Sequence, residues 1–311
     1  MKLAFVYAGQ GSQKVGMGAD FYERYPLFRR ALDCDRAGFD LREVCFQGPE
    51  EKLSQTRYTQ PCMVAFAIGV TDLLAAEGIR PQAAAGLSLG EYSALYAAGV
   101  FDREGAVATV ALRGRAMEEA AAGLACGMTA VLGLDRDKLA RACEEVSSLG
   151  VVQICNYNCP GQLVISGEKA AVDRAGELAK ELGAKRCMPL KVSGPFHTQL
   201  MKPAGDALAA HFKTIPFHEM ALPVYFNCKG APMGAEDTIP ALLERQVQSS
   251  VYWEDTVRAM EADGIDTILE IGPGKTLSSF VKKIAPGIKT YNIDTAADFT
   301  AVVQALKGEA L

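Results

Sequence analysis

The sequence lacks several features that define whole classes of protein. No uninterrupted apolar run approaches the length needed to cross a bilayer, and the first, Leu3–Ala8, is too short for a signal peptide and predicts a strand instead. Acidic residues outnumber basic ones by 37 to 32, and the net charge of −5 argues against nucleic acid as the main partner. The absence of low-complexity segments and of repeats of fixed period excludes a solenoid. We therefore expect a globular protein with neither a membrane nor nucleic acid as its partner.

Cysteine and histidine are arranged in a way that disfavours two kinds of site. The nine cysteines are odd in number and include no C-x-x-C pair, which favours reduced thiols in the cytoplasm over a disulfide framework. Cys155 and Cys159 lie close in sequence, but no histidine near them could complete a metal site. We expect buried apolar thiols, no metal and no cofactor.

The order of strand-like and helical runs in the sequence predicts an α/β architecture. A chain of 311 residues can hold one large domain, or a large one and a small one. Strand-like runs alternate with amphipathic helices, as in Leu3–Ala8, Asp20–Leu32 and Cys62–Glu77. This alternation indicates an α/β layer structure with a mainly parallel sheet.

The middle of the chain has a different pattern. Between residues 125 and 192 it predicts the order βαββαβ, with a helix capped by Asp135 and a turn at Pro160-Gly161. The predicted elements are Met128–Leu134, Arg136–Ser147, Val151–Asn156, Gln162–Ser166, Lys169–Leu182 and Ala184–Val192. We interpret 125–192 as a small ferredoxin-like domain inserted into a large domain formed by 1–124 and 193–311.

The most informative motif is Gly86-Leu87-Ser88-Leu89-Gly90. A serine between two glycines can occupy a very tight turn from a strand into a helix, the nucleophile elbow. The run Ala83–Ala85 ahead of it fits a buried strand end, and the residues from Leu89 to Leu95 fit a helix start. The positive end of that helix would face Ser88 and any oxyanion formed there.

A serine nucleophile needs a base, and the chain has only three histidines. His211 shares a helical face with apolar residues, which predicts a packing role. His218 lies in an extended segment, Phe217–Glu219. His197 follows the loop 193–196, where the small domain returns to the large one, and it opens a helix. It is the candidate base, with a helix-capping loop residue as the alternative.

Arg113 is the second informative residue. On the helix predicted from Asp102 to about Ala122, it falls on the apolar side, and its neighbours at i±3 and i±4 include no acid. A buried guanidinium is costly without an anion, and a substrate carboxylate would relieve that cost through a bidentate pair. A distant acidic residue of the protein is the alternative partner.

Two glycine-rich loops resemble nucleotide-binding motifs without matching them. Gly9-Gln10-Gly11-Ser12-Gln13 follows the first strand, but Lys14 stands where a dinucleotide fingerprint needs glycine. This loop can still offer backbone N–H groups to an oxyanion. Gly274-Lys275-Thr276 lacks the first glycine of a phosphate-binding loop, because Leu269 is there. Nucleotide hydrolysis is therefore disfavoured.

Several motifs in order now carry a family resemblance. The chain resembles the malonyl-CoA:acyl carrier protein transacylase family of type II fatty acid synthesis over nearly all of its length. The motifs are the Gly9–Gln13 loop, Thr59-Gln60-Pro61, Gly86–Leu95, Arg113-Gly114, Asn158–Gln162, Gly194-Pro195-Phe196-His197 and Glu270–Gly274. The resemblance implies an α/β-hydrolase-like large domain with a ferredoxin-like insertion, which agrees with the pattern above.

The resemblance also implies roles for single residues. Ser88 would be the nucleophile and His197 the general base. The backbone N–H groups of Gln10 and Leu89 would form the oxyanion hole, and Arg113 would bind the malonyl carboxylate. The remaining two are Gln246, whose side-chain carbonyl would orient the histidine, and Phe196, at a position associated with malonyl rather than bulkier branched units.

The implied partners are malonyl-CoA and an acidic acyl carrier protein that bears phosphopantetheine, and we expect a monomer. Docking depends on local charge, so a negative net charge does not exclude an acidic partner. The candidates for a basic docking patch are Lys185, Arg186, Lys191, Lys202, Lys275, Lys282, Lys283 and Lys289.

The chain departs from the family pattern in three places. Leu87 replaces a histidine, Ala8 replaces a proline, and Gln248-Ser249-Ser250 replaces an aromatic-Asn-Pro stretch, close to Gln246. Three alternatives stay open: a serine esterase or thioesterase, a non-catalytic carrier-docking protein, and a discrete acyltransferase of a polyketide or polyunsaturated lipid synthase.

Overall fold

The computed structural model describes residues 1–190 and 194–309. The end of the strand predicted at Ala184–Val192, the start of the loop at Ser193 and the candidate Lys191 therefore lie outside the described residues. Two compact units are present. The first is Met1–Gly114, Ile215–Tyr225 and Ala259–Leu311, and the second is Arg115–Thr214 and Phe226–Arg258. The domain bounds predicted from the sequence, 125–192, were drawn from the pattern of secondary structure and differ from the bounds of these two units. They stay a prediction.

Within the described residues the strands, β1 to β10 in chain order, are Leu3–Tyr7, Ala83–Gly86, Cys126–Leu132, Val152–Cys159, Gln162–Glu168, Arg186–Pro189, Val224–Phe226, Ala231–Pro232, Thr267–Ile271 and Lys289–Ile293. The α-helices, α1 to α14, are Ala19–Arg24, Pro26–Leu32, Leu41–Gln47, Glu50–Leu53, Thr56–Ala76, Gly90–Ala97, Arg103–Ala121, Arg136–Glu145, Lys169–Glu181, Lys202–Phe212, Ile239–Val247, Trp253–Ala262, Thr276–Ile284 and Ala296–Glu309. Short 3₁₀ turns occur at Asp35–Ala37, Ser147–Leu149 and Gln199–Met201.

The first unit contains a parallel sheet, as the sequence predicted. Its parallel strands run in the order β10-β9-β1-β2-β7. β1, β2 and β9 are buried along their whole length, and β1 and β2 accordingly have continuous apolar sequences instead of alternating ones. Tyr7, at the end of β1, is in register with Gly86 on one side and Ile271 on the other. The loops that follow these three strands therefore leave the same edge of the sheet, where binding sites of α/β proteins form.

Helix α5 is long, apolar and largely buried. Thr56–Ala76 is long and apolar enough to cross a membrane by length and composition, although no such segment was predicted. Arg57 near its start and Asp72 near its end interrupt the apolar run of the helix, so the sequence contains no uninterrupted apolar stretch of that length. In the structure 83% of the apolar window is buried, as expected of a core helix.

The second unit contains an antiparallel sheet of four strands in the order β4-β5-β3-β6. The chain passes through these strands and through α8 and α9 in the predicted order βαββαβ. The Asp135 side chain caps α8 by accepting a hydrogen bond from the Asp137 N–H, as predicted. Both helices bury an apolar face on the sheet, with Leu139, Ile165 and Ala175 among the buried core residues.

Two helices predicted as continuous are divided. Asp20–Leu32 forms α1 and α2, because Tyr25 precedes Pro26 and adopts an extended conformation (φ −120°, ψ 104°). The helix predicted after His197, Thr198–Phe212, forms a 3₁₀ turn and then α10, whose first turn contains Pro203. The sequence patterns did not predict α3, α4, β8, β10 or α14.

Candidate active site

Ser88 lies in the strand-to-helix turn that the sequence predicted, between the end of β2 and the start of α6. Its φ of 51° is in the left-handed region, which is unfavourable for any residue with a side chain. A Cβ on Gly86 would lie 1.9 Å from the Gly90 carbonyl carbon, and one on Gly90 would lie 2.2 Å from the Tyr7 carbonyl oxygen. The two glycines therefore permit the close approach of α6 to β1 and β2 that holds Ser88 in its strained conformation.

Arg113 points inward, as the helical periodicity predicted. Its side chain is 0% exposed, and Nη2 donates a hydrogen bond to Ser88 Oγ over 3.2 Å. Burial lowers the pKa of Arg113, and Tyr92 and the charge of Glu91 oppose this effect. An arginine starts from so high a pKa that it stays protonated at neutral pH. The structure thus places a buried positive charge beside the candidate nucleophile.

The loop containing Gln10 is fixed by its own side chains and by α5. Gln10 Nε2 donates to Thr56 Oγ1 over 3.0 Å, and Ser12 Oγ donates to the Gly9 carbonyl over 2.9 Å. Leu89 is the residue before α6, so its N–H belongs to the open first turn of that helix. Among the residues that the structure describes, the backbone N–H groups of Gln10 and Leu89 have no protein acceptor. Both groups can therefore donate to a ligand.

Leu87 stands at the position where the resemblance implied histidine. With Ala8, Thr276, Leu277 and the residues from Gly9 to Ser12, it lines a cavity of about 170 Å³ in the first unit. An apolar side chain here gives this chain a drier surface beside the Gln10 loop than a histidine would.

In the second unit, His197 is buried and has a positive φ of 59°. Its Nδ1 lies 2.9 Å from the backbone carbonyl oxygen of Gln246, and Gln153 Nε2 donates to the His197 carbonyl over 3.1 Å. A carbonyl oxygen only accepts, so Nδ1 carries the hydrogen and Nε2 of the neutral ring keeps a lone pair for a proton. The expectation for Gln246 named its side-chain carbonyl, whereas the contact at 2.9 Å is made by its backbone carbonyl.

The other predicted residues are also placed. Phe196 is buried in the second unit, and its role in selectivity stays a prediction. His211 is half-buried on α10, where burial lowers the pKa of its imidazole, and His218 is exposed. The described members of the basic set are all exposed, with Lys275, Lys282, Lys283 and Lys289 in the first unit and Lys185, Arg186 and Lys202 in the second.

Three residues near Ser88 and Gln10 had no role assigned from the sequence. Thr56 and Gln60 project from α5 one turn apart toward the Gln10 side chain, and Gln60 Nε2 lies 3.5 Å from Gln10 Oε1. Tyr92, four residues after Ser88, places its ring against Arg113, whose guanidinium carbon lies 5.3 Å from the ring centroid. The i+4 spacing places Thr56 and Gln60 on one face of α5, whereas no local spacing signals the contact between Tyr92 and Arg113.

Within the residues described, no group of three or more His, Cys, Asp or Glu side chains could hold a metal ion. All nine cysteines are free thiols, and seven of them are buried. The burial of these seven thiols agrees with the packing role that the scattered cysteines predicted.

Known proteins resemble the chain over its whole length. The model of the acyl transferase domain family matches residues 4–297. The malonyl CoA-acyl carrier protein transacylase of Bacillus subtilis is 40% identical over 311 residues, which cover 99% of this chain and 98% of that protein. The crystal structure of MCAT from Streptococcus pneumoniae superposes with a TM-score of 0.92 at 47% identity, over 98% of this chain and 100% of that one.

A third similar structure is a complex, described as a type II PKS acyl-carrier protein in complex with its malonyl-transacylase. That structure has a TM-score of 0.94 and 39% identity, and it covers 98% of this chain and 100% of its own chain. The similarity therefore extends to a protein solved together with its carrier.

Proposed function

The chain belongs to the acyl transferase domain family, and on this premise we propose that it moves a malonyl group from malonyl-CoA to the phosphopantetheine thiol of acyl carrier protein. The reaction proceeds through a malonyl ester on Ser88 and supplies malonyl units for fatty acid elongation. No metal and no cofactor takes part.

One observation carries the choice of substrate: the buried Arg113 guanidinium donates to Ser88 Oγ over 3.2 Å. A hydrolase of simple esters has no use for a buried cation at this distance from its nucleophile. A malonyl thioester has a carboxylate two carbon–carbon bonds from its reacting carbonyl. Arg113 can bind this carboxylate while Ser88 attacks the carbonyl, and the charge-assisted pair offsets the cost of burying the arginine.

The proposed steps use groups of this chain alone. His197 Nε2 takes the proton of Ser88 as Oγ attacks the thioester carbonyl, and the N–H groups of Gln10 and Leu89 donate to the oxyanion. The intermediate collapses with cleavage of the C–S bond, and coenzyme A leaves as a thiol with the proton from His197. The carrier's thiol then attacks the ester in the same way, which regenerates Ser88.

We also propose the finer fold assignment. The large domain, 1–124 with 193–311, is α/β-hydrolase-like, and the support is a parallel sheet whose second strand leads into the Ser88 turn. The small domain, 125–192, is ferredoxin-like, and the support is the order βαββαβ with an antiparallel sheet ordered β4-β5-β3-β6. Free thiols at all nine cysteines favour a cytoplasmic location.

Intact mass spectrometry tests the function. Brief incubation with malonyl-CoA should add one malonyl group to the wild-type protein and none to Ser88→Ala, and added holo carrier protein should then remove the label and acquire it. Free malonate as the main product with and without carrier protein would instead identify a hydrolase. An unlabelled wild-type protein would leave only a carrier-docking role.

A discrete acyltransferase of a polyketide synthase is the second candidate, because one relative was solved with a type II PKS carrier. The two candidates share the chemistry and differ in the partner. Transfer rates to fatty acid and polyketide carriers, measured side by side with the same malonyl-loaded protein, separate them.

A further inference from the structure

Tyr92 is fully buried on α6, one turn after Ser88, and its contact with Arg113 has no role in the mechanism above. The guanidinium carbon of Arg113 lies 5.3 Å from the centroid of the Tyr92 ring. A guanidinium over an aromatic face at this distance is attracted by the negative charge of the ring face, and the attraction is strongest where water is excluded.

A second aromatic ring fixes the plane of the first. Phe101 stacks with Tyr92 at a centroid distance of 6.4 Å and an interplanar angle of 12°, and it is itself 4% exposed. The cation, the tyrosine ring and the phenylalanine ring therefore form a packed series in which the tyrosine has little freedom to turn.

The ring acts on Arg113 as a neutral group. Burial raises the pKa of the Tyr92 hydroxyl, so the side chain stays uncharged at physiological pH. The guanidinium of Arg113 opposes this rise, so the hydroxyl also interacts with Arg113, and variants that remove the hydroxyl alone or the whole ring separate this interaction from the ring-face contact at 5.3 Å. A carboxylate in this place would bind the N–H groups that a substrate needs, whereas a ring face attracts the cation and leaves Nη2 directed at Ser88 Oγ.

We propose that Tyr92 is a positioning residue for donor selection, whose ring face holds the Arg113 guanidinium directed at Ser88 and so favours acyl donors that carry a carboxylate. The inference rests on the proposed function, since Arg113 is the group through which Tyr92 acts.

The test compares Tyr92→Leu, which removes the ring, with Tyr92→Phe, which removes only the hydroxyl. The rate of Ser88 acylation is measured by intact mass spectrometry with malonyl-CoA and with acetyl-CoA, which lacks the carboxylate. Tyr92→Leu should lower the rate constant at subsaturating malonyl-CoA about 10- to 30-fold and change that for acetyl-CoA less than about threefold. Tyr92→Phe should stay within about threefold of wild type for both donors.

Tyr96→Leu is the matched control. Tyr96 lies one turn further along α6, and its hydroxyl donates to Asp72 Oδ1 over 2.6 Å. The same substitution on the same helix should leave the ratio of malonyl to acetyl rates unchanged. If Tyr92→Leu does not fold, as judged by circular dichroism, Phe101→Leu carries the test with an expected malonyl-specific loss of about threefold.

Two results would overturn the proposal: a ratio of malonyl to acetyl rates that Tyr92→Leu leaves unchanged, whether both rates fall or neither does, or a loss in Tyr92→Phe as large as in Tyr92→Leu. The last would assign the effect to the hydroxyl. A wild-type protein that malonyl-CoA does not label would refute the proposed function itself, and this outcome is distinct from labelling that Tyr92 does not influence.

Discussion

The contact between α6 and β1 gives the sharpest prediction, because its geometry fixes both direction and size. A Cβ on Gly90 would lie 2.2 Å from the Tyr7 carbonyl oxygen, whereas an ordinary contact begins at 3.4 Å, so Gly90→Ala requires a shift of about 1.2 Å, the difference between the two. The Tyr7 oxygen also accepts a hydrogen bond from the Leu87 N–H over 3.0 Å, so the strand cannot retreat without weakening the turn that holds Ser88.

Overpacking of this kind costs about 1 to 3 kcal/mol, which corresponds to a melting temperature lower by about 2 to 12 °C. A displacement of about 1 Å at a reacting group also costs on the order of 100-fold in rate. We expect Gly90→Ala to slow Ser88 acylation by malonyl-CoA about 100-fold. The assays are thermal unfolding followed by circular dichroism and acylation followed by intact mass.

Gly176→Ala is the control, since Gly176 is also a buried helical glycine. Its Cβ would meet Cys187 and Thr129 only at 4.0 Å, an ordinary contact, so the gain in helix propensity should stabilise the protein by about 0.5 to 1 kcal/mol. The reasoning is refuted if Gly90→Ala melts at or above the wild-type temperature, or if it acylates Ser88 within about threefold of the wild-type rate.

Three further predictions concern single side chains. Arg113→Gln should lower the rate of Ser88 acylation by malonyl-CoA about 100-fold or more, because it removes a charge-assisted bidentate pair. The rate with acetyl-CoA should not fall, and equal losses for both donors in the mass assay would contradict this prediction. Gln246→Met should keep acylation within about threefold of wild type, because His197 Nδ1 contacts the backbone carbonyl of residue 246; a loss near that of His197→Ala would show that the side chain orients the base. Asp40→Ala should destabilise the protein by about 1 kcal/mol at pH 7, because Asp40 caps α3. The Arg42 side chain lowers the pKa of Asp40 from 3.8 to about 2, so the ionised carboxylate contributes its full stability above pH 3.8. The difference in free energy of unfolding between variant and wild type, measured by chemical denaturation, should therefore shrink as the pH falls toward 2.

Much of the site could be predicted because its signals are local. The turn at Ser88 needs small residues two positions to each side, and the sequence has glycine at both. The inward orientation of Arg113 follows from the 100° step of a helix and from the apolar residues that share its face. The βαββαβ order of the second unit follows from alternating patterns over short stretches, and the cap at Asp135 is a contact between near neighbours.

The contacts that the sequence could not supply join residues far apart in the chain. The atom of Gln246 that meets His197 is a backbone oxygen, which every residue type has, so no choice of side chain could reveal it. The ring of Tyr92 meets Arg113 only because α6 and α7 pack together, and periodicity assigns a buried face without naming the residues opposite it. The sequence by itself determined which residues are buried, which lie in turns and which are charged, because these properties depend on neighbours within one helical turn or one strand. Only the tertiary structure decided which buried groups meet, because close packing selects one arrangement among the many that the same pattern allows.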